Sequence, residues 1–319
     1  MARLLKFIAA AATAAALVSP LARAADPYPA KPIELTVAFQ PGGGTDSMAR
    51  AFADAARPYL SQPIVVINKA GASGAIGLGY VANSPADGYK MAMVFAELLV
   101  IPYLNLGKVT YEDFQPIARF TSDPSSITVR ADAPWKTVEE FLAYAKANPG
   151  KVTVSNAGNG SIPQLAAASL GEKIGTSFSH VPYLGSAPAI LGLLGGQVDA
   201  TFVAYGELKA HVESGKLRTL AVMGDKRLPG LDNVPTIKEK GIDLTSYVWR
   251  GLAVPKNTPP QVVNKLREVA AKVANEPAFK DALAKQNLTF SYADAPEFRS
   301  QMATQSAGYQ KLIPTLKLN

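Results

Sequence analysis

Residues 33–47 read Ile33-Glu34-Leu35-Thr36-Val37-Ala38-Phe39-Gln40-Pro41-Gly42-Gly43-Gly44-Thr45-Asp46-Ser47. The first seven form an apolar run with the β-branched content of a buried strand. The residues after it, Met48-Ala49-Arg50-Ala51-Phe52-Ala53-Asp54-Ala55-Ala56, are helix formers with apolar positions at helical spacing. Between strand and helix, three glycines free the backbone for positive φ and for close approach of a ligand. Thr45 or Asp46 is placed to cap the helix, whose first N–H groups then face the loop without partners. Such a corner suits a carboxylate or phosphate, although an ordinary strand-to-helix turn has the same composition.

The same pattern recurs along the chain. Pro63-Ile64-Val65-Val66-Ile67-Asn68 reads as a second strand, followed by the small-residue loop Lys69-Ala70-Gly71-Ala72-Ser73-Gly74 and a short helix. Lys90-Met91-Ala92-Met93-Val94-Phe95 is a third strand, so the first hundred residues predict a parallel sheet covered by helices. Thr137 with Glu140 is a capping box that opens another helix. Lys151-Val152-Thr153-Val154-Ser155-Asn156 is a strand, and Ala157-Gly158-Asn159-Gly160-Ser161 leads it into a helix. This near-duplicate of the opening motif predicts two helix N-termini facing each other across a cleft, each offering backbone N–H groups to an anionic ligand. Leu184-Gly185-Ser186-Ala187-Pro188 starts a further helix, Tyr247-Val248-Trp249-Arg250-Gly251-Leu252-Ala253-Val254-Pro255 is the last long strand, and amphipathic helices follow Pro259-Pro260 and Pro277.

The amino terminus carries an export signature. Arg3 and Lys6 precede an apolar run from Phe7 to Val18, and Ala22-Arg23-Ala24 supplies an A-x-A cleavage site. The run is shorter than the roughly 20 residues that span a membrane, so a signal peptide over 1–24 and a periplasmic mature chain of about 295 residues are expected. There is no cysteine, which excludes a disulfide framework and a cysteine nucleophile. The formal charge of +7 includes Arg3, Lys6 and Arg23, leaving +4 on the mature chain. That excess is compatible with anionic ligands. It does not point to nucleic acid, since no basic cluster is interleaved with aromatics.

Catalytic motifs are missing. His180 and His211 have no metal-ligand spacing, Gly71-Ala72-Ser73-Gly74 has the wrong spacing for a nucleophile elbow, and no P-loop lysine or G-x-G-x-x-G follows a strand. The adjacent acids Glu139-Glu140 sit at a helix start, where capping accounts for them. No enzyme, metal or cofactor is expected.

Several segments together resemble the Bug/TctC family of periplasmic solute-binding proteins, which serve tripartite tricarboxylate transporters (TTT). They include Tyr28-Pro29-Ala30-Lys31-Pro32-Ile33, Pro41-Gly42-Gly43-Gly44-Thr45-Asp46, Asn68-Lys69-Ala70-Gly71-Ala72-Ser73-Gly74, Ala86-Asp87-Gly88-Tyr89, His180-Val181-Pro182-Tyr183-Leu184-Gly185-Ser186 and Gly251-Leu252-Ala253-Val254-Pro255. The resemblance implies an α/β, type II periplasmic binding protein fold whose two lobes close over a small carboxylate. Residues 26–124 with 225–319 would form one lobe and 125–224 the other, with hinges at 121–124 and 223–225. Gly42, Gly43, Gly44, Thr45, Asp46, Ala72 and Ser73 would supply contacts from the first lobe. Ser155, Gly158, Asn159, Gly160, Ser161, Tyr183 and Ser186 would supply them from the second. Phe39 would either wall the cleft or belong to the core.

This chain departs from the family pattern at three places. Gln40 replaces a usual proline, Glu97 stands where small hydroxyl residues are common, and no aspartate lies near Val203. Glu97 is either solvated or paired with Arg119, or it faces the ligand; in the last case it would oppose a second carboxylate and favour an amine or ring nitrogen. The partners implied are a small carboxylate and the inner-membrane subunits of the transporter, for a monomeric receptor without cofactor. Presentation of the closed form to a membrane sensor is the alternative.

Overall fold

The computed structural model describes residues 28–316; the expected signal peptide lies outside the described residues. Two mixed α/β sheets organise the chain. The first is six-stranded, in the order β11-β4-β10-β3-β1-β2, built from β1 (Ile33–Val37), β2 (Ile64–Asn68), β3 (Lys90–Phe95), β4 (Phe114–Pro124), β10 (Tyr247–Pro255) and β11 (Phe290–Ala293). The second, in the order β7-β6-β8-β5-β9, contains β5 (Ser126–Arg130), β6 (Thr153–Asn156), β7 (Ser179–Pro182), β8 (Ala200–Thr201) and β9 (Leu217–Val222). The strands β1, β2 and β3 are parallel, as the opening repeat predicts, while β10 runs antiparallel between β3 and β4.

Period-2 alternation gives the first sheet two buried faces. Ile33, Leu35, Val37, Met91, Met93, Leu252 and Val254 point to one face, packed by Met48 and Phe52 of α1 (Gly44–Ala55) and by Val263, Leu266 and Val269 of α7 (Pro260–Asn275). Ala92, Val94 and Ala253 point to the other, under Leu78 and Val81 of α2 (Ala75–Ala82) and Phe298 of α9 (Ala295–Leu312). Complete burial of a side chain such as Phe52 stabilises by roughly 1.5–3 kcal/mol.

The second sheet has its own core. Ile127, Val129 and Val154 pack against Phe141 of α3 (Val138–Ala147) and Leu170 of α4 (Ile162–Ile174). The Thr137 capping box is formed: Thr137 Oγ1 accepts the Glu140 N–H at 3.3 Å and the Glu140 carboxylate accepts the Thr137 N–H at 3.3 Å. A smaller cluster holds Ile190 and Leu193 of α5 (Ser186–Leu194) against Leu208 of α6 (Tyr205–Glu213). Helix α8 (Pro277–Lys285) completes the first unit, with Phe279 and Leu283 in its core.

The chain passes between the sheets at Ser125 and again around Met223 and Ser246. These three residues are bound to one another: Met223 N–H to Ser125 C=O at 2.7 Å, Ser125 N–H to Ser246 C=O at 2.9 Å, and Ser246 N–H to Met223 C=O at 2.8 Å. The return to the first sheet expected at 223–225 therefore needs correction. Residues 225–245 stay with the second unit, because Ile237, Ile242 and Leu244 pack into its core and Thr236 bridges Val222 of β9. The first sheet resumes only at Tyr247.

Candidate functional site

Two connected cavities lie between the sheets, sharing Phe39, Gln40, Ala157, Leu184 and Pro188 as walls. The inner one has a volume of about 50 Å³, room for a few waters; the outer one is about 820 Å³ and mostly apolar.

The inner cavity is bordered by two helix N-termini from opposite units. Gly43, Gly44 and Thr45 begin α1, and Gly185, Ser186 and Ala187 begin α5. The first-turn N–H groups of any helix lack an intrahelical acceptor, and neither of these helices has a side-chain cap to supply one. Gly185, at φ 121°, makes the turn into α5 in a conformation that a side chain would strain. The expected capping of α1 by Thr45 or Asp46 does not occur. Asp46 borders the cavity, but its carboxylate turns back to the Gly42 N–H (3.1 Å), the Asn68 amide (2.9 Å) and Arg50 (3.0 Å). Burial pushes the Asp46 pKa up, but these hydrogen bonds outweigh it and leave the group below the ordinary carboxylate range.

The helix α4 does not face α1 in the way the repeated glycine loop suggested. Its N-terminus is met by Glu97 from the first unit, whose Oε1 accepts the Ile162 N–H at 3.2 Å. Glu97 is 4% exposed, lies on a short helical turn directly after β3, and borders the inner cavity. It is neither solvated nor paired with Arg119, which instead donates to the Ser291 carbonyl and hydroxyl and to Gln301. Burial pushes the Glu97 carboxyl above its ordinary range, against the pull of the Ile162 N–H and of Arg250.

The residues of the second glycine loop divide. Gly158 and Asn159 border the outer cavity with Ala72, Ser73 and Tyr183. The Ser73 hydroxyl donates across the cleft to the Asn159 carbonyl, and the Tyr183 hydroxyl donates to Gln197 at 3.0 Å. Ser155, Gly160 and Ser161 border neither cavity. Ser161 is fully buried, its hydroxyl accepting the Ala157 N–H at 3.2 Å, and Ser155 is buried with a hydroxyl that has no hydrogen-bond partner among the described residues. Gly160 packs against Leu104 and Leu106 of the first unit. Gly42 lies on the far side of the α1 corner, in a separate groove with Ile190 and Lys285. Phe39 both walls the cleft and packs on Phe95, with ring centroids 4.5 Å apart.

Sequence reasoning missed the floor of the inner cavity. Arg250, in the middle of β10, is 2% exposed and donates to Asp123 at 3.1 Å, to Glu207 of α6 at 2.8 Å and to Thr45 Oγ1 at 3.2 Å. Burial pushes Asp123 above its ordinary range, against the pull of Arg250 and the Thr289 N–H. One signal was available: Arg250 is a lone charge inside an apolar strand, and a charge so placed requires buried partners. Among the described residues no cluster of His, Asp or Glu has the arrangement of a metal site.

The sequence profile of the tripartite tricarboxylate transporter family receptor matches residues 48–318. The chain belongs to that family. It is similar to the protein BugT of Bordetella pertussis, 32% identical over 310 residues, covering 96% of this chain and 94% of the relative. A TctC solute-binding protein from Polaromonas, solved with no ligand, is 50% identical with a TM-score of 0.73, over 91% of this chain and 100% of that one. An R. palustris protein solved with adipate is 27% identical with a TM-score of 0.84, over 90% of this chain and 98% of that one. This receptor thus shares the periplasmic binding protein fold, and its cleft lies where its two units meet.

Proposed function

We propose that this receptor works outside the cytoplasm, captures a small carboxylate between two closing lobes, and delivers it to the membrane subunits of a tripartite tricarboxylate transporter. The observation that carries this reading is the pair of uncapped helix N-termini, α1 and α5, bordering one cavity from opposite units. Backbone N–H groups at two such ends hold a carboxylate through hydrogen bonds and helix dipoles without needing a free cation. The lobes would be residues 28–124 with 246–316, and 125–245, turning about Ser125, Met223 and Ser246.

A ligand that touches both lobes binds the closed form better than the open one and shifts the population towards it. Two features support reading the present arrangement as closed: the inner cavity is small, and Ser73 and Asn159 touch across the cleft. Chemically, adipate in the R. palustris relative is a dicarboxylate, which supports the ligand class.

Calorimetric titration of the mature protein with aliphatic and aromatic carboxylates tests the binding step, and uptake by a deletion strain tests delivery. A selective carboxylate whose uptake is lost on deletion is the expected result. Binding of only neutral solutes would refute the reading.

A further inference from the structure

The charges around the inner cavity are unbalanced in a direction that a plain polycarboxylate does not suit. Three carboxyl groups, Glu97, Asp123 and Glu207, gather near one guanidinium. Asp123 and Glu207 engage Arg250 directly, at 3.1 and 2.8 Å, so its charge is already matched within the protein. Glu97 forms no ion pair with any described residue. Its single hydrogen bond from another described residue, the Ile162 N–H at 3.2 Å, uses a fraction of the roughly four acceptor sites of a carboxylate. The group is nevertheless 4% exposed and borders the cavity. A buried acid of this kind needs either a proton or a cationic partner.

We propose that the partner is supplied by the ligand: this receptor selects a carboxylate that also bears a protonated amine, and Glu97 is the residue that takes the amine and discriminates against di- and tricarboxylates. The inference rests on the carboxylate reading of the same cleft. The ligand carboxylate sits on the backbone N–H groups opening α1 and α5, and its ammonium group donates to Glu97. A second carboxylate in the ammonium position would instead meet Glu97 and Glu207 with no uncommitted cation beside them. The helix N-termini and Glu97 border the same inner cavity, so one short molecule meets both, and the apolar outer cavity of about 820 Å³ adjoins it through Phe39, Gln40, Ala157, Leu184 and Pro188.

The test is calorimetric titration of the full mature protein with near-isosteric pairs, γ-aminobutyrate against succinate and 5-aminovalerate against glutarate. In the wild type, the amine member of at least one pair binds tenfold or more tighter. In Glu97→Gln the ratio falls below about threefold or inverts, because the diacid is no longer repelled. A wild-type ratio near one, or one favouring the diacid, overturns the proposal and leaves the carboxylate reading standing. A wild-type preference that Glu97→Gln retains in full overturns the role of Glu97. Absence of binding by these compounds and by every other carboxylate overturns both readings. Should Glu97→Gln not fold, the wild-type ratio alone still decides the ligand class.

Discussion

Arg250 and Glu207 form an ion pair at 2.8 Å that joins β10 of the first sheet to α6 of the second unit, with side chains 3% and 10% exposed. With Asp123 on its other amino group, Arg250 links the floor of the cleft to the crossover that ends at Ser125. The pair crosses the boundary along which the two units would separate.

Removing the cation should cost far more than removing one acid. Arg250→Ala leaves Asp123 and Glu207 buried without a countercharge, and loss of one partner of a buried pair destabilises by about 3–5 kcal/mol. Urea unfolding is expected to show a loss of that size, with Glu207→Gln losing less. A change under about 1 kcal/mol in Arg250→Ala would mean that the site is hydrated and the pair is not structural.

Glu97 also predicts a pH dependence. Its carboxyl holds a proton more tightly in the folded state than in the unfolded chain, where the ordinary value is 4.5. Its contribution to stability is therefore fully present below that value and is lost as pH rises through the elevated folded value. Glu97→Gln cannot lose it. The stability of the variant relative to wild type should climb from the acid range towards neutrality, read by denaturant unfolding at a series of pH values. A difference that is flat with pH would show an unperturbed Glu97.

Two glycine substitutions separate ligand contact from closure. A Cβ at Gly44 would stand 2.7 Å from the Arg250 guanidinium and 3.1 Å from Leu288, so Gly44→Val displaces the buried cation. Loss of both binding and thermal stability is expected. Gly160, at φ 78°, would drive a side chain into Leu104 and Leu106 of the facing lobe. Gly160→Val is expected to retain its circular dichroism spectrum, weaken ligand binding tenfold or more, and fail to compact in small-angle scattering when ligand is added. Ligand-induced compaction equal to wild type would refute its role in closure.

The Ser73 hydroxyl bond to the Asn159 carbonyl is exposed and crosses the mouth of the cleft. Ser73→Ala should leave unfolding stability within about 0.5 kcal/mol of wild type. It should remove about 1 kcal/mol from the closed form. Stopped-flow dissociation is expected to be about fivefold faster, with association little changed. Unaltered dissociation would show that the contact does not persist in the liganded protein.

The fold was legible in the sequence where the signal was local. The Ile33–Val37 strand, the glycine corner and the Thr137–Glu140 box each depend on neighbours within a few residues. The site was legible only in part, because its decisive contacts join distant segments. Glu97 and Ile162 are separated by 65 positions, and no spacing rule announces that one will cap the other's helix. That contact is also why the repeated glycine loops do not pair as sequence suggested: α4 is met by an internal carboxylate, leaving α5 to face α1. The excursion over 225–245 lacks periodicity, and it is tied to the second unit by Ile237, Ile242 and Leu244 in the core and by backbone bonds of Pro235 and Ile237 to Val222 of β9, contacts that no local pattern announces.

The central claim, that the cleft between the units is a carboxylate site, is tested most directly by thermal unfolding of the mature protein against a panel of carboxylates, amino acids and neutral amides. A ligand at a hundred times its dissociation constant stabilises the fold by about 2.7 kcal/mol. For a chain of this size that corresponds to a rise in Tm of roughly 5–10 °C. We expect such a rise with a narrow set of carboxylates, abolished in Gly44→Val. A panel in which no carboxylate moves the transition, or in which Gly44→Val responds like wild type, would contradict the assignment of the cleft.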